Sequence, residues 1–445
     1  MSDALPLPAR PNLEQYKKRA KDLVKVCKAG DPDALRAWVA EWIESLVRLP
    51  RDEHRPYTPA EIGYLIQRAF DRFAKHLMAA DQSPRGACTL TRAQFAVARE
   101  HGFASWPKFA RHLEGLARAR SPVSAFEEAA DAIVNGDLAA LETLLSENPA
   151  LAGARSTREH RSTLLHYVSA NGVEDFRQKT PQNIVEITRL LLKAGADVNA
   201  ESDAYGGRST TLGLTATSYH PEVAGVQLAL LELLIEQGAA MDAPDGGSAI
   251  NGCLHNGRGQ AAEFLARRGA RLDLEGAAGV GRLDVVKSFF EDDGSLKPPA
   301  TQTQMNAGFA WACEFGRTDV VDFLLRRGME VDARLNQHGG ETGLHWAAYG
   351  GHVDIVRLLL EHGAPVDVKD KRHDGTPLDW GLHEWSNSAD KPDREKYYDV
   401  VSLLARAGAK FNPQWHEDVV NRQLAAKKIQ SDPRMQAALR GRVNR

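Results

Sequence analysis

The sequence predicts an all-α fold, a solenoid of stacked helix pairs preceded by a small helical domain. Two observations lead to this prediction. A short apolar segment, a glycine and a longer apolar segment recur along most of the chain. One such helix pair cannot bury both of its faces alone, so units of this kind must stack. Near the N-terminus, longer segments with a single apolar face predict ordinary amphipathic helices instead.

Three regions follow from these patterns. We expect a helical N-terminal domain over residues 1–120, a repeat array of about eight units over residues 121–413, and a capping helix with a basic tail over residues 414–445. The last repeat of an array has one face without a neighbour, so a polar cap is expected at its end.

The clearest repeat unit lies at residues 341–367. Thr342 is placed to cap a first helix through its hydroxyl oxygen. Gly350 and Gly351 are placed to end that helix, and a second, longer apolar segment then runs to Gly363. The unit therefore predicts a short helix with small side chains, followed by a longer helix with a large apolar face.

The period of the repeat is the distance between the apolar residues that begin each first helix. These residues are Leu165, Leu212, Ile250, Leu274, Phe309, Leu344 and Leu378. The last three steps are 35, 35 and 34 residues, close to the ankyrin period of about 33. With TGLHWAAYGGH at 342–352, TPLD at 376–379 and AGADVNA at 194–200, the chain resembles the ankyrin-repeat family. The resemblance implies helix pairs joined by short hairpin loops, and a protein-binding role.

Several steps depart from this period. Two longer steps contain insertions at residues 172–183 and 218–227, each between the first and second helix of its repeat. The step from Ile250 to Leu274 has only 24 residues, so we expect the hairpin between these repeats to be missing and the curvature to change there. Residues 292–304 are polar and contain prolines, which predicts a loop.

The N-terminal helices resemble the leader found ahead of ankyrin repeats in some bacterial proteins. Within them, residues 91–113 have a helix, turn, helix pattern, so a DNA-binding motif is the alternative. The basic residues are spread around these helices rather than placed on one recognition helix. Residues 121–413 carry a net charge of -14, which also argues against nucleic acid as a partner.

The four cysteines show no CxxC spacing, so we expect buried free thiols and neither a zinc site nor a disulfide framework. The sequence opens without the apolar segment of a secretory signal. It has no apolar run near the roughly 20 residues that span a bilayer. We expect a cytoplasmic monomer that does not bind a membrane.

Histidine fills the fourth position of the T-P-L-H pattern at His166 and His345. The resemblance implies that this histidine joins neighbouring loops by hydrogen bonds, so we expect a structural role for both. One further group has the residue types of a metal site: His373, Asp374, Asp379 and His383. Asp379 takes the place of the structural histidine, and Asp374 precedes a turn glycine, where aspartate is common. We therefore expect no metal and no cofactor.

A binding surface is expected where side chains face the concave groove and at the hairpin tips. In four repeats, the residue directly after the histidine position is aromatic. Stacking of the repeats should bring these residues into one column: Tyr167, Trp311, Trp346 and Trp380. Core packing is the alternative role for this column. The residues predicted to contact a partner are Phe315, Trp346, Tyr349, Trp380, His383, Glu384, His338, Arg372 and Tyr205. Among them, Phe315, Tyr349 and His383 recur at 34-residue intervals and should form a ladder with rungs about 10 Å apart.

Protein–protein recognition through the concave groove is the predicted function. We expect no catalytic residues and no enzymatic activity, because the sequence has no Walker loop, GxGxxG, GxSxG or HExxH motif. The alternative is an enzyme or small-molecule binder with a pocket in the irregular repeats at residues 163–275. The residues that motivate this alternative are His166, Tyr167, Tyr219, His220, Asn251 and His255.

Overall fold

The computed structural model describes residues 4–8, 10–47, 59–78, 88–242, 247–335, 339–388, 392–412 and 420–441. Helices dominate these residues. The strands among them form two antiparallel pairs: β1 (Glu201–Ser202) with β2 (Ser209–Thr210), and β3 (Arg334–Leu335) with β4 (Glu341–Thr342). The prediction of an all-α fold with short hairpins is confirmed. Within the described residues, no helix has both the length and the apolar character that crossing a bilayer requires.

The chain divides into two compact units, Met1–Met241 and Asp242–Arg445. The first unit begins with α1 (Leu13–Ala29), α2 (Pro32–Val47), α3 (Pro59–Met78), α4 (Leu90–Glu100) and α5 (Trp106–Leu116). Aromatic rings fill the space between these helices. Trp42 and Phe73 are almost completely buried, and their ring centroids lie 5.5 Å apart. The N-terminal helices thus have a core of their own.

A disulfide joins Cys27, in the last turn of α1, to Cys88, just before α4. Their Cα atoms are 5.7 Å apart, although 61 residues separate them in the sequence. The prediction of free thiols is therefore wrong for this pair, because α1 and α4 pack side by side and sequence spacing does not reveal that contact. The prediction is confirmed for Cys253 and Cys313, which are free and buried.

The rest of the first unit contains repeats. Their elements are α6 (Pro122–Asn135) and α7 (Leu138–Glu147), then a 3-10 helix (Leu164–Ser169) and α8 (Ile184–Lys193), then α9 (Thr211–Thr217), α10 (Tyr219–Val223) and α11 (Gln227–Glu236). Both predicted insertions lie between the first and second helix of their repeats. The first helix of the middle repeat is a 3-10 helix instead of an α-helix, a form that proteins use in short pieces.

The insertion at residues 172–183 carries charged side chains into the interior of the first unit. Arg177 Nη1 lies 2.7 Å from Glu127 Oε2, and Arg158 Nη1 lies 2.6 Å from Oε1 of the same carboxylate on α6. Glu174 Oε1 lies 3.1 Å from Arg158 Nη1. We call Glu127, Arg158, Glu174 and Arg177 the buried ion network, because all four are less than one-tenth exposed. The network anchors the insertion to α6.

The second unit contains the remaining repeats. Their helices are α12 (Ala249–His255), α13 (Gly259–Arg267), α14 (Leu274–Gly279), α15 (Leu283–Ser288), α16 (Gln302–Glu314), α17 (Thr318–Arg326), α18 (Gly343–Gly350), α19 (Val353–Glu361), α20 (Pro377–Asn387) and α21 (Lys396–Arg406). Helix α16 begins at Gln302, seven residues before Phe309, the apolar residue taken from the sequence as the start of this first helix, so the predicted loop over residues 292–304 ends earlier than expected. The earlier start follows from Thr301 and Gln304, which cap the helix reciprocally.

As predicted, no hairpin lies between α13 and α14. Only residues 268–273 join these helices, and no strand or isolated bridge lies in this described stretch. Asp273 begins α14 by accepting a hydrogen bond from the Gly276 N–H at 2.8 Å. Its other oxygen accepts from Asn251 Nδ2 at 2.9 Å. A capping side chain therefore connects the two repeats directly, and the change in curvature stays a prediction.

Two helices follow the last repeat, α22 (Val420–Ser431) and α23 (Pro433–Leu439). Helix α22 packs against α20, and α23 packs against α21. Ile429 and Met435 are fully buried and belong to the same core as Val400 and Leu404. This packing is what a cap on the last repeat requires.

Deletion of residues 414–445 is expected to cause self-association and a lower melting temperature of the second unit. The deletion exposes the apolar face that includes Val400 and Leu404, both fully buried in the intact chain, and large exposed apolar patches promote association. Light scattering and calorimetry measure both effects. Deletion of residues 442–445 alone, which leaves α23 in place, is the control. A monomeric 414–445 deletion with an unchanged melting temperature would show that the two helices are not a cap.

Candidate partner-binding surface

The histidines of the T-P-L-H position connect neighbouring repeats. His345 Nδ1 accepts a hydrogen bond from the Thr342 N–H at 3.1 Å, and its Nε2 donates to the Gly375 carbonyl at 3.2 Å. His166 makes the same pair of contacts, and its Nε2 donates to the Ser209 carbonyl at 3.1 Å. Burial lowers the pKa of each imidazole to about 4, so both rings are neutral at pH 7. The predicted structural role of these histidines is confirmed.

Four aromatic side chains contact one another across α16, α18 and α20. We call Trp311, Trp346, Tyr349 and Trp380 the aromatic strip. The ring centroids of Trp311 and Trp346 lie 5.5 Å apart, and those of Trp346 and Trp380 lie 5.1 Å apart. Tyr349 lies 5.8 Å from Trp380, and all these pairs have the favourable edge-to-face geometry. Trp311 is 1% exposed, whereas the other three are half-buried, so the column combines core packing with surface.

Hydrogen bonds hold both ends of the aromatic strip. Trp311 Nε1 donates to Glu275 Oε1 at 2.9 Å, and the same oxygen lies 2.7 Å from His255 Nε2. Trp380 Nε1 donates to Asp370 Oδ2 at 3.1 Å. Asp370 also accepts hydrogen bonds from three backbone N–H groups of its own hairpin. The strip is therefore ordered before any partner arrives.

Two carboxylates lie next to the aromatic strip. Glu314 and Glu384 each follow a tryptophan of the strip by about one helical turn. Glu314 is 8% exposed, and its Oε2 has no hydrogen-bond partner among the described residues. Burial raises the pKa of Glu314 to about 8, against the opposing charge of Arg258. The pKa of Tyr349 is raised to about 12, mainly by burial and to a smaller extent by the negative charges of Glu384 and Glu314. Both carboxylates therefore lie close enough to the Tyr349 hydroxyl to influence its ionisation.

Glu314 was missing from the sequence prediction of contact residues. Nothing in the sequence distinguishes it from a solvated surface glutamate. What distinguishes Glu314 in the structure is its burial between repeats. A Cβ atom added to Gly257, in the loop after α12, would lie 3.8 Å from Glu314 Oε1. Asp370 was missed for a similar reason, since its partners come from a hairpin and from the following helix.

The predicted rungs on either side of Tyr349 make different contacts from it. Phe315 lies over the start of α13, where a Cβ on Gly259 would come within 2.6 Å of its ring. His383 is half-buried on α20, and its Nε2 accepts a hydrogen bond from Asn387 Nδ2 at 3.0 Å. The regular ladder with 10 Å rungs therefore stays a prediction.

The remaining predicted contact residues lie on hairpins. Arg372 is exposed on the hairpin that precedes α20. His338 lies outside the described residues. Tyr205 belongs to the first unit, where it is 54% exposed and its hydroxyl donates a hydrogen bond to Asn171 Oδ1. The structure thus brings Trp346, Tyr349, Trp380 and Glu384 together, and it describes Tyr205 in a separate body.

The side chains considered for a metal site are engaged in other contacts. Asp379 Oδ2 accepts a hydrogen bond from the Thr376 N–H at 3.0 Å, and Asp374 Oδ2 lies 2.6 Å from Lys369 Nζ. The described residues include no group of three or more His, Cys, Asp or Glu side chains that could hold a metal ion. Asp379 caps α20 in place of the histidine found in other repeats.

The first unit contains a polar cavity of about 310 Å³. Its lining comes from α3, α4 and the hairpin tips, and includes two ion pairs, Arg72 with Glu100 and Arg99 with Glu159. None of the six residues that motivated a catalytic or small-molecule pocket lines this cavity. Two of those six residues, His166 and Tyr167, are buried in structural contacts. The cavity therefore does not favour the alternative function.

The comparison with known protein families finds a match within the second unit. Residues 274–372 and 309–414 match the sequence model of the family described as ankyrin repeats, three copies. Among solved structures, the ankyrin repeat domain of human ASB11 is similar to this chain at 21% identity, over 66% of this chain and 100% of that domain, with a TM-score of 0.32. No curated protein matches the chain. The family match covers the helices that carry the aromatic strip.

Proposed function

We propose that this chain, which is an ankyrin-repeat protein over residues 274–414, binds another protein through the aromatic strip. Ankyrin repeats are general protein–protein interaction modules. The observation that carries the proposal is that Trp346, Tyr349 and Trp380 contact one another and remain partly exposed. Tryptophan and tyrosine are enriched among the residues that contribute most to binding. Side chains that are ordered in advance also lose less freedom on association.

The proposed contact surface extends from the strip to nearby side chains and hairpins. Its further members are Phe315, His383, Glu384, His338 and Arg372, with Tyr205 as a separate contact in the first unit. We propose that the chain acts as a monomeric binding module without catalysis or a cofactor. We also propose the three regions expected from the sequence: a helical N-terminal domain over residues 1–120, a repeat array over residues 121–413 and a capping region over residues 414–445.

Tyr349→Ala is expected to weaken partner binding by about 1–3 kcal/mol, the range of an interface hot spot. This loss corresponds to roughly 5- to 150-fold in Kd. An ordinary surface site would change stability by less than about 1 kcal/mol. The contacts of Tyr349 with two tryptophans raise that expectation to about 1–2 kcal/mol. A binding titration with the partner captured from native cells measures the first effect, and thermal melts measure the second.

Ile355→Val is the matched control for this experiment. Ile355 is fully buried on α19, so losing one methylene costs about 0.5–1.5 kcal/mol of stability and leaves the strip untouched. Its partner affinity should equal that of the wild type. Equal affinity of Tyr349→Ala and wild type, or an equal loss in Ile355→Val, would remove the aromatic strip from the proposal.

We also propose a cytoplasmic location, and the Cys27–Cys88 disulfide provides its test. Disulfides persist in oxidising compartments and are rare in a reducing cytoplasm. Alkylation of thiols in cells before lysis should label both cysteines if the chain resides in the cytoplasm. Protection of the pair until a reductant is added would contradict this location.

A further inference from the structure

We infer that the aromatic strip receives a positively charged side chain, a lysine or arginine of the partner, between Glu314 and Glu384 and against the ring of Tyr349. The inference rests on the proposed function and specifies the chemistry of the partner at the same surface. Three observations lead to it: the tryptophan contacts along the repeats, the buried Oε2 of Glu314 that has no hydrogen bond among the described residues, and the two carboxylates whose charges act on Tyr349.

Three consecutive first helices contribute side chains in a regular order. Each carries a tryptophan and, about one turn later, a second side chain: Trp311 and Glu314 on α16, Trp346 and Tyr349 on α18, Trp380 and Glu384 on α20. Residues one turn apart project from the same side of a helix. The tryptophans are in successive contact. The charges of Glu384 and Glu314 both act on the Tyr349 hydroxyl, so this tyrosine lies near two carboxylates, although His383 rather than Glu384 holds the equivalent position on α20.

Glu314 is the member of this group that most needs a partner. Its side chain is 8% exposed and its Oε2 is buried without a hydrogen bond among the described residues. A buried polar atom left without a partner is unfavourable and rare in native proteins. Arg258 opposes the effect of burial but does not cancel it, because the pKa of Glu314 remains raised to about 8. A cation placed beside this carboxyl group would favour its ionised form.

The neighbours of Glu314 suit a cation better than an apolar group. The face of a tyrosine ring attracts ammonium and guanidinium groups, and Tyr349 lies between Trp346 and Trp380, with ring centroids 6.3 and 5.8 Å away. The charges of Glu384 and Glu314 both act on Tyr349, so the surroundings of its ring favour a positive group. An apolar side chain at this place would bring no opposite charge to either carboxylate. Charge complementarity therefore selects a basic segment of another protein.

The test measures how much full-length protein is retained by beads that carry random nine-residue peptides with one fixed central residue. The fixed residue is lysine, arginine, norleucine or citrulline. Norleucine keeps the length of lysine without its charge, and citrulline keeps the shape of arginine. We expect retention on lysine and arginine beads to be roughly tenfold higher than on the neutral beads, which is the fold-change for about one well-placed charge contact.

Two variants separate the proposed site from general attraction to an acidic protein. Glu314→Gln keeps the shape of the side chain and should reduce retention on lysine and arginine beads to the neutral level. Glu361→Gln removes an exposed carboxylate on α19 and should leave the preference intact. Equal retention on all beads, no retention on any, or a full preference in Glu314→Gln would overturn the inference. Partner binding through the strip would still stand on the Tyr349→Ala titration.

Discussion

Arg177→Met is expected to lower the free energy of unfolding of the first unit by about 3–5 kcal/mol, the cost of breaking a buried ion pair by removing one partner. Arg177 Nη1 contacts Glu127 Oε2 at 2.7 Å, and its Nε donates to Asp131 Oδ1 at 2.8 Å. Methionine fills much of the same volume but leaves the Glu127 carboxylate, which is almost fully buried, with fewer positive partners. The effect should be largest in α6 and in the insertion at residues 172–183.

Hydrogen exchange of peptides from α6, followed in increasing urea, measures this loss within the intact chain. Arg189→Met is the control, because Arg189 is exposed on α8 and its replacement should change stability by less than about 0.5 kcal/mol. Comparable destabilisation in both variants, or a loss below about 1 kcal/mol in Arg177→Met, would show that the network contributes little.

The same network sets the response of the first unit to acid. Burial alone would raise the pKa of Glu127, but the charges of Arg158 and Arg177 hold it at about 2. The folded pKa lies below the unfolded value, so this stabilisation is fully present above about pH 4.5 and is lost as the pH falls towards 2. In Arg177→Met, less stability should be lost over this interval, since one of the two cations that depress the pKa is gone.

Leu359→Ala is expected to destabilise the second unit by about 2–5 kcal/mol through the cavity that it creates. Leu359 is fully buried on α19 and belongs to the core that runs from α14 to α23. Its neighbour Leu360 is only half-buried, so Leu360→Ala, the same chemical change, should cost clearly less. Because both residues lie on the second helix of the repeat, partner affinity should be unchanged under conditions in which the variants are folded.

Thermal melts and the partner titration on both leucine variants decide this prediction. Melting temperatures that fall equally would contradict the assignment of Leu359 to the core. A loss of partner affinity in folded Leu359→Ala would show that binding involves the second helix of the repeat. Tyr349→Ala provides the opposite pattern, with a small effect on melting and a large effect on binding.

Features encoded locally could be predicted from the sequence. The helix pairs follow from apolar periodicity and from glycines that end helices. The role of His345 was implied by the resemblance to ankyrin repeats, and the structure shows its hydrogen bond to the Thr342 N–H three residues earlier. The missing hairpin between α13 and α14 follows from chain length alone. Each of these features depends on residues a few positions apart.

Features that depend on distant contacts could not be predicted in this way. The Cys27–Cys88 disulfide spans 61 residues, and the ion pair of Arg177 with Glu127 spans 50. Both require knowledge of which helices pack together. The burial of Glu314, and its oxygen without a hydrogen bond among the described residues, arise only when repeats stack. The sequence placed Trp311, Trp346 and Trp380 in one column, and the structure brings their rings together. Their role in binding stays a prediction.

Site-specific photo-crosslinking tests most directly whether the aromatic strip is the surface that binds a partner. A photoreactive benzoyl-phenylalanine at position 349 keeps an aromatic ring in the strip. The same residue at position 361 lies on the exposed side of α19. We predict that illumination of native extracts joins the partner to the chain labelled at position 349 and not to the chain labelled at position 361. Equal crosslinking at both positions, or crosslinking only at position 361, would contradict recognition through the strip.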